Sequence, residues 1–265
     1  MFTDSHCHLN FPELADNIHA IREDMAKAQV TRALVISTTL ERFPEVHGLA
    51  TQFDNFWATV GVHPDNEGVQ EPTLDDLLSR AQLPKVVGIG ETGLDYYRLG
   101  ERTVADMEWQ RERFRVHIRA SRESSKPLII HTRSASEDTL RLMREEQAGT
   151  GAGGAGGVMH CFTESLEVAE AAMEMGFYIS FSGIVTFKNA RELQAVARAV
   201  PLERMLIETD SPYLAPVPKR GKTNEPGFVR HVAEFLADLK EVPLMTLADA
   251  TTRNFRTLFG IPAPL

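Results

Sequence analysis

The sequence is short of cysteine, of long apolar runs and of positive charge. Cys7 and Cys161 are the only cysteines, too few for a disulfide framework in a chain this size, so an apolar core must hold the fold. No run approaches the roughly 20 apolar residues needed to cross a bilayer, and the opening MFTDSHCHLNF has neither the basic start nor the apolar stretch of a signal peptide. These absences predict a cytoplasmic protein that engages no membrane. Lys and Arg number 28 against 37 Asp and Glu, a formal net charge of −9. An acidic surface repels nucleic acid at long range, so a polyanionic substrate would need bound metal and a local basic rim.

What is present is an ordinary globular composition, 43% hydrophobic and 25% charged over 265 residues, which allows a full core. Short β-rich runs fall at 2–9, 32–38, 56–63, 86–93, 127–132, 158–162, 178–182 and 205–209. Segments such as 108–124, 135–146, 165–175 and 189–200 carry apolar residues at helical spacing between them. Strand and helix in alternation predict a parallel sheet with helices outside. Eight such units, with no linker or shift in composition, predict a single TIM (β/α)8 barrel domain over 1–265. Gly151, Gly153 and Gly156 have GxGxxG spacing, but a helix precedes them and a strand follows, the reverse of the phosphate-binding order. A flexible connection on the barrel face away from the active site is expected there.

The chemistry begins at Asp4-Ser5-His6-Cys7-His8. Strand alternation turns His6 and His8 to one face and Cys7 to the other, so two imidazoles can grip one cation. A lone HxH is weak evidence, since two hydrogen-bonded core histidines would look the same. The later strands strengthen it, because each ends in a polar cluster: Gly61-Val62-His63-Pro64, Gly90-Glu91-Thr92-Gly93-Leu94-Asp95, Ile130-His131-Thr132-Arg133, Met159-His160-Cys161-Phe162 and Glu208-Thr209-Asp210-Ser211. The C-terminal ends of barrel strands are where this fold builds active sites. So many unpaired polar groups buried together would cost several kcal/mol unless metal offsets it. The expected ligands are His6, His8, Glu91 and Asp210 for one ion and Glu91, His131 and His160 for a second, with Glu91 bridging. Two divalent ions about 3.5–4 Å apart activate water and polarise a phosphoryl oxygen; Mg, Mn and Zn all suit such donors.

In order along the chain, SHCHLNF, GVHP, GETGLDYY, IHTR, HCF and ETDSPYL closely resemble the TatD family of metal-dependent deoxyribonucleases, and Arg220-Gly221-Lys222-Thr223-Asn224-Glu225-Pro226 resembles that family's loop after the last strand. The resemblance implies an amidohydrolase-like metal-dependent hydrolase barrel, and a DNase that often trims 3′ ends. It places the family's metal ligands on His6, His8, Glu91, His131, His160 and Asp210. Besides the unusual glycine-rich insert, three positions depart from the pattern. Thr163-Glu164 replaces a small Ser-Gly pair, adding a carboxylate near the mouth, and Thr223 stands where a basic residue is common.

The remaining polar residues have their own expected roles. Glu91 and Asp210 are the expected catalytic carboxylates, with Asp210 able to take the proton of the attacking water. His63 and Arg133 are expected to contact substrate phosphate, although a histidine braced in its turn and an arginine paired with a carboxylate are the plain alternatives. Asp95 and Glu208 are expected to hold ligand histidines in the correct tautomer. Cys161, facing away from His160 by strand alternation, reads as a buried structural thiol. Tyr96, Tyr97, Tyr213 and Phe187 follow strand ends and could stack on bases or simply pack. Arg98, Arg133, Lys188, Arg220 and Lys222 form the candidate phosphate rim. DNA, transiently bound and single-stranded, is the expected partner, and no stable protein partner is expected. The rival reading is an amide or ester hydrolase, such as a deacylase of aminoacyl-tRNA, using the same centre on a carbonyl carbon. A non-enzymatic scaffold would have no need for six costly buried polar groups.

Overall fold

Eight parallel strands form one sheet in sequential order: β1 Phe2–Cys7, β2 Val30–Val35, β3 Phe56–Val60, β4 Val86–Asp95, β5 Leu128–Arg133, β6 Gly157–Met159, β7 Tyr178–Phe181 and β8 Met205–Ile207. The computed structural model describes residues 1–262. Sequential order in a parallel sheet requires a crossover after every strand, and helices such as Ile18–Lys27, Phe43–Gln52, Glu108–Ser124 and Arg191–Ala199 supply it. The sheet closes on itself through the segment after β8. Asp210 N donates to His6 O at 2.9 Å and His8 N to Ser211 O at 2.8 Å, so the TIM (β/α)8 barrel is held shut at its C-terminal rim.

Buried apolar residues on both sides of the strands make the core. Ile129, Val158 and Leu206 join Leu34, Tyr178, Phe255 and Phe259 in one buried cluster. Each of the first three lies two residues before His131, His160 or Glu208, hence on the same strand face. An apolar layer therefore floors the polar residues above it, and Phe255 and Phe259 of the helix Leu244–Phe259 belong to that layer. The larger cluster, with Phe56, Phe114 and Phe177, packs the strands against the outer helices. Among the described residues no helix is long and apolar enough to cross a membrane.

All eight expected strands are present, but most stop short at the C-terminal end. β1, β2, β3 and β6 leave the sheet at residues 7, 35, 60 and 159, so His8, His63 and His160 follow strand ends instead of lying within them. Cys161 and Asp210 take positive φ of 42° and 56°, and this turns their side chains out of the strand pattern. The alternation argument for Cys161 is thereby corrected: its thiol is half-buried beside Ser182 Oγ at 3.2 Å, in a turn. The glycine-rich connection is also tighter than expected. It includes a 3-10 turn, Thr150–Ala152, and a Cβ on Gly154 would lie 2.2 Å from the Ala148 carbonyl oxygen. It leads into the start of β6, at the face away from the polar cluster.

Candidate metal centre

Glu91 sits at the middle of the cluster, with only 3% of its side chain exposed, and its two oxygens face different groups. Oε2 faces His6 Nε2 at 3.4 Å and His8 Nε2 at 3.8 Å. Oε1 faces His160 Nε2 at 2.8 Å, His131 Nδ1 at 3.3 Å and His63 Nε2 at 3.3 Å. Asp210 completes the first group, its Oδ1 lying 3.3 Å from His8 Nε2 and 3.5 Å from His6 Nε2. Six expected ligand residues, from position 6 to position 210, thus share one small space. β1 helps by an irregularity in its pairing with β2 between Asp4 and Cys7, a local kink of the kind that re-aims side chains.

The donor set fits a divalent cation. His6, His8 and Glu91 offer ligand atoms within 4.8 Å of one another, as do His6, His160 and Glu208. His6 Nδ1, His8 Nδ1, Glu91 Oε2, His160 Nε2 and Glu208 Oε2 are buried without a hydrogen-bond partner. The Glu91 and His160 atoms in that set lie near other polar atoms but are not aligned as hydrogen bonds, as expected of ligand atoms arranged around a common point.

Charge in the cluster is strongly displaced from ordinary values. Burial alone would raise the Glu91 carboxyl, but the imidazoles of His160, His63 and His6 hold it well below the usual carboxylate range. Asp210 is likewise held low, against burial, by His8, His6 and His160. Burial lowers His6, whereas the carboxylates of Glu91 and Glu208 outweigh burial and raise His160 well above an ordinary imidazole.

Two carboxylates brace the histidines from outside. Asp95 Oδ2 lies 3.0 Å from His131 Nε2, and Glu208 Oε1 lies 3.2 Å from His160 Nδ1. Each also accepts a backbone amide, Tyr97 N for Asp95 and Cys161 N for Glu208. In both cases the far ring nitrogen is left to face Glu91. His63 differs. Its Nδ1 accepts the amide of Asp65 at 3.0 Å, so the neutral ring carries its proton on Nε2. Although ligand atoms of His63, Glu91 and His131 lie within 4.8 Å of one another, this tautomer makes His63 Nε2 a hydrogen-bond donor into the cluster.

At the rim, Arg133 is exposed at the end of β5, its guanidinium 3.6 Å above the Tyr97 ring. Arg98, Lys188 and Lys222 are exposed, and Arg220 lies over Phe187 at 3.9 Å. Glu164 is half-buried and accepts the Ser136 hydroxyl, which ties it to the neighbouring loop. Burial and the nearby Asp210 and Glu208 raise the Cys161 thiol well above its ordinary value, which disfavours the thiolate.

Sequence reasoning missed several supports. Asp4, fully buried, accepts Thr209 N, Thr209 Oγ1 and His6 N, joining β1 to the turn that carries Asp210; burial still pushes its carboxyl up to about 8. Asn224 donates to Thr209 O and Tyr213 O, a role hinted at only by its place in the loop motif after β8. From helix Glu108–Ser124, His117 Nε2 accepts Val62 N at 3.0 Å and Arg113 donates to His63 O at 2.8 Å. In sequence these two are merely polar residues on an amphipathic helix.

A closed parallel barrel whose strand ends converge on buried imidazoles and carboxylates is the architecture of a metal-dependent hydrolase. Residues 3–260 match the model of the TatD related DNase family, and the chain belongs to that family. It is 47% identical over 264 residues to an uncharacterized metal-dependent hydrolase, YcfH, of Escherichia coli K12, covering 98% of this chain and 96% of that one. It is 33% identical over 243 residues to a protein of Escherichia fergusonii named 3'-5' ssDNA/RNA exonuclease TatD, covering 88% and 89%. Among solved structures, the TatD homolog YjjV of Escherichia coli K12 superposes with a TM-score of 0.89 at 28% identity, over 98% of each chain. An organophosphorus hydrolase at 13% identity and TM-score 0.68 shares the fold.

Proposed function

We propose that the chain, working as one barrel domain, hydrolyses phosphodiester bonds at the 3′ ends of single-stranded DNA with two divalent cations. The observation that carries this reading is the division of Glu91, one oxygen toward His6 and His8 and the other toward His131 and His160. That is the arrangement a carboxylate bridging two ions requires. His6, His8, Glu91 and Asp210 would hold one ion, and Glu91, His131 and His160 the other. Bound there, divalent cations lower the pKa of water and neutralise charge developing on phosphoryl oxygens.

The chain's own residues supply the rest. Arg133 offers its guanidinium to a non-bridging phosphate oxygen. His63 Nε2–H donates to the substrate from the other side of Glu91, and Arg113 and His117 fix its turn from behind. Asp95 and Glu208 keep the ligand nitrogens of His131 and His160 free of protons. Asp210, whose Oδ1 lies beside His6 and His8, is placed to take the proton of the attacking water, although its imidazole neighbours hold its carboxyl low and so weaken it as a base. DNA as substrate is supported by the name of the Escherichia fergusonii relative and by the cationic rim, which offsets the net charge of −9 locally. Mn and Mg suit the carboxylates and Zn the imidazoles.

The test is end-labelled single-stranded DNA incubated with the purified chain, with added metal or with chelator. Metal-dependent shortening from the 3′ end is expected, and its loss in His131→Ala. No shortening, together with metal-dependent release of amino acid from an aminoacyl-tRNA, would move the assignment to a carbonyl substrate.

A further inference from the structure

Among the described residues, Tyr97 and Tyr213 are the only Phe, Tyr or Trp side chains that are mostly exposed, at 59% and 52%. Both stand at the mouth of the barrel, on opposite flanks of the cluster. Every other such ring among the described residues is buried or half-buried, so these two are the aromatic faces open to a ligand beside the polar site. Neither is loosely mounted. The Tyr97 amide donates to Asp95 Oδ1 at 2.9 Å, and the other oxygen of that carboxylate holds His131. The Tyr213 amide donates to the Asp210 carbonyl at 3.1 Å, and Asn224 holds the Tyr213 carbonyl. Each ring is therefore fixed, through its backbone, to a carboxylate residue of the centre.

The surroundings of the two rings are those of stacking surfaces. Tyr97 carries the Arg133 guanidinium at 3.6 Å from its ring centroid, pairing a flat aromatic face with a phosphate-binding cation. On the other flank an aromatic strip runs outward from the centre: Phe11 stacks on His8 with centroids 4.6 Å apart, and Tyr213 meets Phe11 edge-on at 6.2 Å. The other two candidates from the sequence are less accessible. Tyr96 is buried with its hydroxyl on Asp138, and Phe187 is half-buried.

We propose that Tyr97 and Tyr213 are the base-stacking walls of the site, seating the unpaired nucleobases on either side of the phosphate held over Glu91. This rests on the phosphodiesterase reading and deepens it. Stacking is indifferent to base identity because every base has a π face, so these walls select for unpaired, base-bearing chain without selecting sequence. A duplex, whose faces are already stacked, cannot use them.

The experiment compares two 3′-labelled single-stranded oligonucleotides of equal length, one with all its bases and one with abasic residues at its two terminal nucleotides. Wild type with Mn is expected to show a KM for the base-bearing strand roughly ten-fold lower or better. Tyr97→Leu and Tyr213→Leu should each raise that KM several-fold and narrow the difference between strands, whereas Tyr97→Phe and Tyr213→Phe should keep it. Thermal melts check that the exposed substitutions leave the fold intact. Leu variants that keep the full preference, or that lose only kcat, overturn the stacking role while leaving phosphodiesterase activity standing. If wild type cleaves neither strand, both readings fall.

Discussion

Replacing Asp95 by Asn exchanges one carboxylate oxygen for an amino group, and through it should invert His131. In the native site Asp95 accepts the Tyr97 amide at Oδ1 (2.9 Å) and His131 Nε2 at Oδ2 (3.0 Å). Neutral His131 therefore carries its proton on Nε2, and the lone pair on Nδ1 faces Glu91 Oε1 at 3.3 Å. Asparagine has a single acceptor. If the Tyr97 amide keeps it, the new amino group donates to Nε2, the ring proton moves to Nδ1, and the nitrogen aimed into the cluster becomes a donor with nothing to offer a cation. Loss of such a carboxylate partner costs about 10–100-fold in metal affinity or activity, or roughly 1.4–2.7 kcal/mol. The assay is calorimetric titration of chelator-stripped protein with Mn or Zn, alongside a thermal melt. Glu208→Gln should disturb His160 less, since Glu208 Oε1 alone accepts both His160 Nδ1 and the Cys161 amide and a glutamine can keep its carbonyl oxygen there. Glu208 is fully buried, however, so its variant will also lose stability, which makes Asp95 the cleaner test. An Asp95→Asn protein that binds metal within about two-fold of wild type refutes the tautomer assignment.

Two further outcomes follow from the supports around the site. His117 is buried neutral, its pKa lowered from 6.5 to about 4 mainly by burial, while in the unfolded chain it protonates near 6.5. Stability from this group is present above about pH 6.5 and is lost as pH falls toward 4, by about 3 kcal/mol in all. In urea melts at pH 7.5 and pH 4.5, His117→Gln should lose distinctly less stability than wild type, and equal losses would contradict the assignment. Gly93, paired with His131 across β4 and β5, has φ of 134°, and a Cβ there would lie 1.9 Å from the His131 carbonyl oxygen. Gly93→Ala should therefore cost at least about 3 kcal/mol, and a Tm within a few degrees of wild type would show that the strand yields without cost.

How much was legible depended on the range over which each signal acts. Strand alternation and helical periodicity are written within a few residues, so eight strands, their order and the face shared by His6 and His8 could be read directly. Because parallel strands in sequence must all point one way, the polar clusters ending β3, β4, β5, β6 and β8 were bound to meet at one rim once the barrel was inferred. That Asp95 and Glu208 would each hold a histidine followed from the same logic, but which histidine each holds, His131 for Asp95 and His160 for Glu208, came from the folded chain.

Closure of the barrel decided the rest. Asp4 and Thr209 are brought together only by the seam between the first strand and the segment after the last, and no local pattern couples positions 205 residues apart. His117 and Arg113 act on the turn of His63 across a helix-to-strand contact, which is set by packing and not by propensity. The positive φ of Cys161 and Asp210 overrode the strand pattern because the chain leaves the sheet there, and the turn brings Asp210 Oδ1 to His6 and His8. From sequence alone came which groups gather and at which end of the barrel. Which oxygen of Glu91 faces which imidazole, and which ring nitrogen each histidine presents, depended on hydrogen bonds between distant elements, and these exist only in the folded chain.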